Sequence, residues 1–241
     1  MSTKSILLSF LFVLVAACSA MADLTFLQAT SNATDGTSQT FASQNLGVAA
    51  DDRCIIVAIG ARGGSGGHAI HVTVAGIPAP IVQNTDEDTS VNFTLIAVAF
   101  VPVGTSGDIV ITYHTTILRS RIAVYRATGC SMLPAFSGAN DADDPTDDIN
   151  VPAGGFAIAV ACTLVSTATT SWTGLTENDD VNVEAAITVS VASDEFPTIQ
   201  SGLTVTADFS SASDSSGVFA AWGPAVSGGG GVVDPLRQSI P

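Results

Sequence analysis

The chain has 241 residues, 46% of them hydrophobic, and 22 acidic against 7 basic residues give it a formal net charge of -15. A chain of this length and hydrophobic content can bury a full core, as one domain or two. So acidic a surface repels phosphate groups, which argues against nucleic acid and anionic membranes as partners.

Residues 1–22 have the pattern of a secretory leader. A short basic start precedes an apolar run over residues 6–17, and residues 20–22 are a small-residue pattern typical of a cleavage site. The run has 12 residues, whereas a membrane-spanning helix needs about 20. Cys18 follows an apolar-small-small sequence and is the lipidation candidate. Three alternatives stay open: cleavage before Asp23, a lipid on Cys18, or a chain that keeps the leader or starts at Met21.

Residues 23–224 alternate between strand patterns and turn patterns. Period-two alternation, as in Leu203, Val205 and Ala207, predicts strands with one face in water. Clusters of Gly, Pro, Asn, Asp and Ser separate the strands. The sequence therefore predicts an all-β protein, an antiparallel and jelly-roll-like β-sandwich of about a dozen strands over residues 23–224.

Two of the predicted strands differ from the others. Residues 93–101 and 156–164 are apolar on both faces. Strands of this kind are covered on both sides. Each is therefore predicted to be central in a sheet or to lie against a neighbouring subunit.

Residues 40–128 and 149–222 form an internal repeat of matching strand patterns. Five elements recur in the same order, with residues 53–59 matching 155–161 and residues 92–99 matching 183–190. Identity is low, so coincidence is the alternative. Two such halves would form two immunoglobulin-sized sandwiches or the two sheets of one larger sandwich. The joint between them lacks a long Pro/Gly linker, which favours the single sandwich.

Residues 225–241 are a separate segment. Four consecutive glycines at 228–231 lead into ten mostly apolar residues. This composition predicts a flexible tail, or alternatively a tethered peptide that docks onto a partner.

No group of residues in the sequence predicts an enzyme or a cofactor. Residues 63–67 satisfy the spacing of a hydrolase nucleophile elbow, but a strand pattern follows where that motif needs a helix. His68 and His71 would point to opposite faces of a strand and make no metal pair. The three cysteines after the leader have no metal-like spacing.

An acidic loop is the best candidate for an ion site, ahead of the smaller acidic groups at residues 86–88 and 177–180. It concentrates five carboxylates, those of Asp141, Asp143, Asp144, Asp147 and Asp148. Calcium needs six to eight oxygen ligands from loops that fold around it, and this spacing does not match an EF-hand. Solvated charge is the preferred interpretation, and a Ca²⁺ site is the alternative.

Arg119, Arg121 and Tyr125 share one strand face in an otherwise acidic domain. They form a candidate docking patch for an acidic neighbour, through which like-charged subunits would assemble. Internal ion pairing with the acidic segments is the alternative.

The motifs of residues 24–224 resemble those of β-rich structural proteins encoded in tailed-phage and marine viral genomes. The segments that carry the resemblance are residues 40–41 (TF), 46–57 (LGVAADDRCIIV), 72–76 (VTVAG), 172–177 (WTGLTE) and 221–224 (AWGP). The resemblance implies a virion component, such as a capsid decoration, tail or fibre protein, that assembles with itself or with other virion proteins and has no catalytic residues.

The leader supports a second hypothesis of a different class. An exported or lipid-anchored bacterial surface module would be secreted, periplasmic or on the outer surface, and would bind a glycan or another ligand. In that case the protein would contact the membrane only through the leader or a lipid.

Overall fold

The computed structural model describes residues 21–64, 69–85 and 91–225. Over these residues the chain is all-β, with sixteen strands in antiparallel sheets, which confirms the predicted β-sandwich class. Nowhere in this part of the chain is there a helix long and apolar enough to cross a membrane. The lipidation candidate Cys18 and the predicted tail from residue 226 onward lie outside the described residues.

The first half of the molecule is one sheet that folds over on itself. The 23-residue strand β8 belongs to both layers: up to Ile117 it pairs with β2 and β4, and beyond Ile117 with β3 and β1. The pairing register slips at this point, and bulges of this kind bend strands. The strands are β1 (Asp23–Asn32), β2 (Gly36–Asn45), β3 (Cys54–Gly63), β4 (Ala69–Val74), β5 (Ile77–Pro78), β6 (Ile81–Asn84), β7 (Asn92–Phe100) and β8 (Ser106–Thr128).

The second half forms two separate sheets. A five-stranded sheet has the order β13-β14-β11-β16-β9, and a three-stranded sheet has the order β10-β15-β12. The strands are β9 (Phe136–Asn140), β10 (Thr146–Val151), β11 (Gly155–Thr163), β12 (Thr170–Thr173), β13 (Thr176–Val183), β14 (Ile187–Phe196), β15 (Gln200–Phe209) and β16 (Ser216–Trp222).

The two halves pair their strands in the same order. The larger layer of the first half runs β6-β7-β3-β8-β1, and its smaller layer places β2 and β4 on either side of β8. In the second half β15 and β16 together take the place of β8. The halves therefore differ mainly in one connection, which is a continuous strand in the first and a loop in the second.

Each half is a sandwich, and the two sandwiches stack through their larger sheets. One core fills the first half, two smaller cores fill the second, and a further core lies between the halves. The short joint favoured a single two-layer sandwich. The molecule instead has four layers, from two stacked sandwiches. The strands that are apolar on both faces, β7 and β11, are covered by these layers of their own chain.

Candidate functional site: the junction end

The predicted docking residues Arg119, Arg121 and Tyr125 face the second half of their own chain. Arg121 makes a bidentate ion pair with Asp179 of β13, with Nε 2.5 Å from Oδ2 and Nη2 2.9 Å from Oδ1. The Tyr125 side chain is fully buried, and its hydroxyl donates to Asn178 Oδ1 at 2.9 Å. Burial raises the pKa of Tyr125, so the phenol stays a neutral donor.

Further along the same seam, Arg119 and Arg62 contact the turn between β13 and β14. Arg119 Nε lies 3.2 Å from Glu184 Oε2, and Arg62 Nη1 donates to the carbonyl oxygen of Ala186 at 3.0 Å. The acidic neighbour predicted for this patch is thus the second half of the chain. Because Tyr125 is buried and Arg121 is paired, these residues do not form a docking surface for another subunit, and the alternative of internal pairing holds.

The structure does not bring the five predicted calcium ligands together. Asp144 Oδ1 accepts a hydrogen bond from the backbone N–H of Phe209 at 3.1 Å, and Asp148 Oδ1 accepts one from the Thr204 hydroxyl at 2.6 Å. No three His, Cys, Asp or Glu side chains within residues 21–64, 69–85 and 91–225 are grouped to hold a metal ion. At these two points the carboxylates bind β15. The predicted set was Asp141, Asp143, Asp144, Asp147 and Asp148.

Folding shifts the pKa of the Asp147 carboxyl group in this loop. Burial raises the pKa of Asp147 above its ordinary value, and the charge of Asp148 adds to the increase. A carboxyl group whose pKa is raised by folding costs stability in full at pH values above the raised pKa, and the cost declines as pH falls through that value and is gone below the ordinary pKa. We therefore expect Asp147→Asn to increase the melting temperature at pH 7, by at most about 3 °C.

The gain should disappear at about pH 3, below the ordinary pKa of an aspartate. The asparagine side chain of the Asp147→Asn variant keeps an oxygen at the position of Asp147 Oδ1, which accepts a hydrogen bond from the backbone N–H of Asp148 at 2.8 Å. Asp143→Asn, at an exposed position, is the matched control and should change little. Thermal melts at the two pH values test the prediction, and a gain at Asp147 that does not depend on pH would contradict it.

The nucleophile-elbow spacing at residues 63–67 is followed by the strand that the sequence predicts. The next described element is strand β4, where the motif requires a helix. Ser65 itself lies outside the described residues.

One end of the molecule has a feature that the sequence did not indicate. We call it the junction end, and it consists of residues 21–22, 46–53, 100–105, 129–135, 152–154, 197–199 and 223–225. The backbone N–H of Ala22 donates to Gly154 O at 2.8 Å, and that of Ala225 donates to Gly129 O at 2.7 Å. Both ends of the described chain therefore leave the molecule here.

The junction end is also where exposed apolar side chains collect. Eight large hydrophobic side chains are exposed among the described residues, and seven of them belong to this end. Val48, Val103 and Leu133 are the most exposed, at 74%, 73% and 70%. The seven are Met21, Val48, Phe100, Val103, Met132, Leu133 and Ile199, whereas Ile70 lies on β4.

A fully buried arginine organises the loops of this end. Arg53 has no exposed surface, and its guanidinium donates only to backbone carbonyl oxygens. The five acceptors are Val101 at 2.6 Å, Leu46 and Gly47 at 3.0 Å each, Val103 at 2.9 Å and Gly104 at 2.7 Å. All five N–H groups of the guanidinium are used. Arg53 thus joins the loop that carries Val48 to the loop that carries Val103.

No protein-family model matches the sequence, and no curated protein matches it either.

Proposed function

We propose that this chain is a non-enzymatic assembly protein, a structural component of a phage particle, that associates through its junction end with further copies of itself or with other virion proteins. The observation that carries the proposal is the placement of seven of the eight exposed large hydrophobic side chains at the end from which both ends of the described chain leave. Apolar side chains collected on one surface mark interaction sites.

In the rest of the molecule, apolar strand faces and arginine side chains find their partners within the chain, which supports this assignment. Strands that are apolar on both faces are covered within the chain, and the arginines beside them pair with the chain's own carboxylates. The junction-end loops that carry Val48 and Val103 are held in place by Arg53, so these two apolar side chains do not have to be ordered at the moment of binding. Preorganisation of this kind lowers the entropy cost of association.

The net charge of -15 sets the conditions under which association is favourable. Copies that meet through an apolar surface still repel one another through the remaining acidic surface. Salt screens this repulsion and leaves the burial of apolar area intact. Association of the full chain should therefore strengthen as salt is raised, the opposite of assembly driven by ion pairs.

We expect the full chain to self-associate at micromolar concentration, and a Val103→Asp, Leu133→Asp variant to lose at least a factor of about ten in association constant, equivalent to about 1.4 kcal/mol. Both side chains are mostly exposed, so the folded state should tolerate the change. Sedimentation velocity at low and high salt, with thermal melts of each variant, measures both effects.

Ile70→Asp provides the matched control, because Ile70 is exposed on β4, away from the junction end. It adds the same kind of charge and should leave most of the association intact. A wild-type chain that stays monomeric at both salt concentrations would refute self-association, as would a control that weakens association as much as the double variant.

The exported or lipid-anchored surface module is the second candidate, and the position of Met21 favours it. Met21 and Ala22 belong to the junction end, so a membrane anchor preceding them would hold this apolar end at the membrane and direct the opposite end outward. A glycan or other ligand would then be met by the outer end. Mass spectrometry of the native N-terminus separates the two candidates: Asp23 or a lipidated Cys18 supports export, and Met1 or Met21 supports assembly into a particle.

A further inference from the structure

Three sulfur atoms meet where the joint between the halves passes the start of β3. Cys54 Sγ lies 3.2 Å from Met132 Sδ. Cys130, in the joint, forms an isolated bridge with Pro224 and belongs to the same buried core as Cys54. Cys54 and Cys130 are both buried free thiols, whereas Met132 is 38% exposed.

The two thiols also interact with each other. A side-chain hydrogen bond from Cys130 favours the thiolate of Cys54 and lowers its pKa. The same bond, together with burial, raises the pKa of Cys130.

We propose that Cys54, Cys130 and Met132 form a binding site for one soft monovalent metal ion, of which Cu(I) is the biological example. Thiolate and thioether sulfur are the ligands that select Cu(I) over harder cations. Binding releases the thiol protons, because the metal takes the thiolate form of a cysteine. With both thiols deprotonated, two S–H protons pass to water and the metal replaces them, with no change in oxidation state.

The donor set favours this ion over zinc. Structural zinc takes four ligands in a tetrahedral arrangement, usually Cys and His. The described residues offer no group of three or more His, Cys, Asp or Glu side chains for such a site. Two cysteines and one methionine instead provide three soft donors.

The Cys54–Met132 pair needs only a small change in its sulfur–sulfur distance to bind a metal ion. With metal–sulfur bonds of about 2.3 Å, as in zinc–thiolate sites, sulfur atoms in a trigonal site lie about 4 Å apart. Cys54 Sγ and Met132 Sδ would therefore separate by less than about 1 Å. The long, unbranched side chain of Met132 is partly in solvent and can move by that amount. Its exposure also gives an ion a route to the two buried thiols.

The test is an anaerobic titration of the reduced full chain with Cu(I), in competition with a chromophoric Cu(I) chelator. We expect one Cu(I) per chain, taken up with release of protons and with a thiolate-to-copper absorption band. Cys54→Ser and Cys130→Ser should each lower the affinity at least a hundredfold, and Met132→Leu about tenfold. Ag(I) as a probe without redox chemistry should give the same order of variants.

Cys162→Ser is the matched control. Cys162 is a buried thiol of the same core, but its polar neighbours are Phe93 O and the Ser216 hydroxyl rather than sulfur. It should bind Cu(I) as the wild type does, and thermal melts establish that each variant is folded. Binding that survives Cys54→Ser in a folded chain would overturn the proposal, and so would failure of the reduced wild-type chain to compete with the chelator.

Discussion

Replacing Arg53 with methionine should lower the free energy of unfolding by about 4 kcal/mol or more, because it leaves five carbonyl oxygens without their donors in a buried site. For a chain of this size the melting temperature should fall by about 10 °C. Methionine fills part of the volume, so the loss reports mainly on the hydrogen bonds. Thermal and urea unfolding of the full chain measure it.

Two further variants identify the cause of that loss. Arg53→Lys keeps the charge but has three donors on one nitrogen, so it should recover only part of the stability. Arg126→Met is the comparison: Arg126 pairs with the exposed carboxylate of Asp23 and donates one hydrogen bond to Val48 O at 3.0 Å, so its loss should cost about 1 kcal/mol. If Arg53→Met unfolds within 1 kcal/mol of this comparison variant, Arg53 does not hold the loops together, and the preorganised junction end loses its support.

Replacing Gly60 with alanine should be the second strongly destabilising change, because it inserts a methyl group between the two halves. Gly60 lies in β3, and a Cβ atom there would be 2.7 Å from Val189 Cγ1 and 3.4 Å from Cys162 Cβ. A contact of this kind forces the facing sheets apart, and overpacking in a core costs about 1–3 kcal/mol. We expect a loss near the upper end of that range, measured by urea unfolding.

The cause can be tested by removing the atoms that clash. Val189→Ala should cost stability alone but offset part of the loss in the Gly60→Ala, Val189→Ala double variant, with a coupling of at least about 1 kcal/mol. Gly64→Ala is the matched control, since a Cβ there meets nothing within 4 Å. Purely additive losses would mean that the halves do not touch tightly at Gly60.

The strands were predictable because the spacing of apolar residues along a strand reflects which of its faces are buried. Val205 and Ala207 are buried and Thr204 is exposed, as the alternation in β15 indicated. The segments that are apolar on both faces became the central strands β7 and β11. What covers them was not predictable, because a covered face has the same composition whether the cover is the other half or another subunit.

The alignment of the two halves shows what hydrophobic periodicity does not determine, namely the register of one strand against its counterpart. Phe100 of β7 pairs with Cys54, and Glu195 of β14 pairs with Phe156 at the corresponding position of β11. Strand pairing therefore aligns Phe100 of β7 with Glu195 of β14. The sequence match, which aligned Asn92 with Val183, places β7 in a different register against β14. Sliding a strand by an even number of residues keeps the same face inward, so hydrophobic periodicity cannot detect the shift.

The junction end escaped prediction for a different reason. Its apolar side chains come from loops that are far apart in sequence, and single exposed hydrophobic residues in loops are ordinary. Arg53 carried no signal either, because a basic residue at the start of a strand is usually exposed. Only the fold shows that its guanidinium points inward and that the apolar loops share one end.

The continuous strand β8 gives the two halves different routes to partial opening. In the first half the smaller layer cannot peel away without breaking or straightening β8, so both layers must open together. In the second half β15 ends at Phe209 and β16 begins at Ser216, and the three-stranded sheet has no ladder bonds to its neighbour. We therefore expect this sheet to open as a separate cooperative unit, with amide protons of β10, β12 and β15 exchanging with water while the stacked larger sheets stay closed.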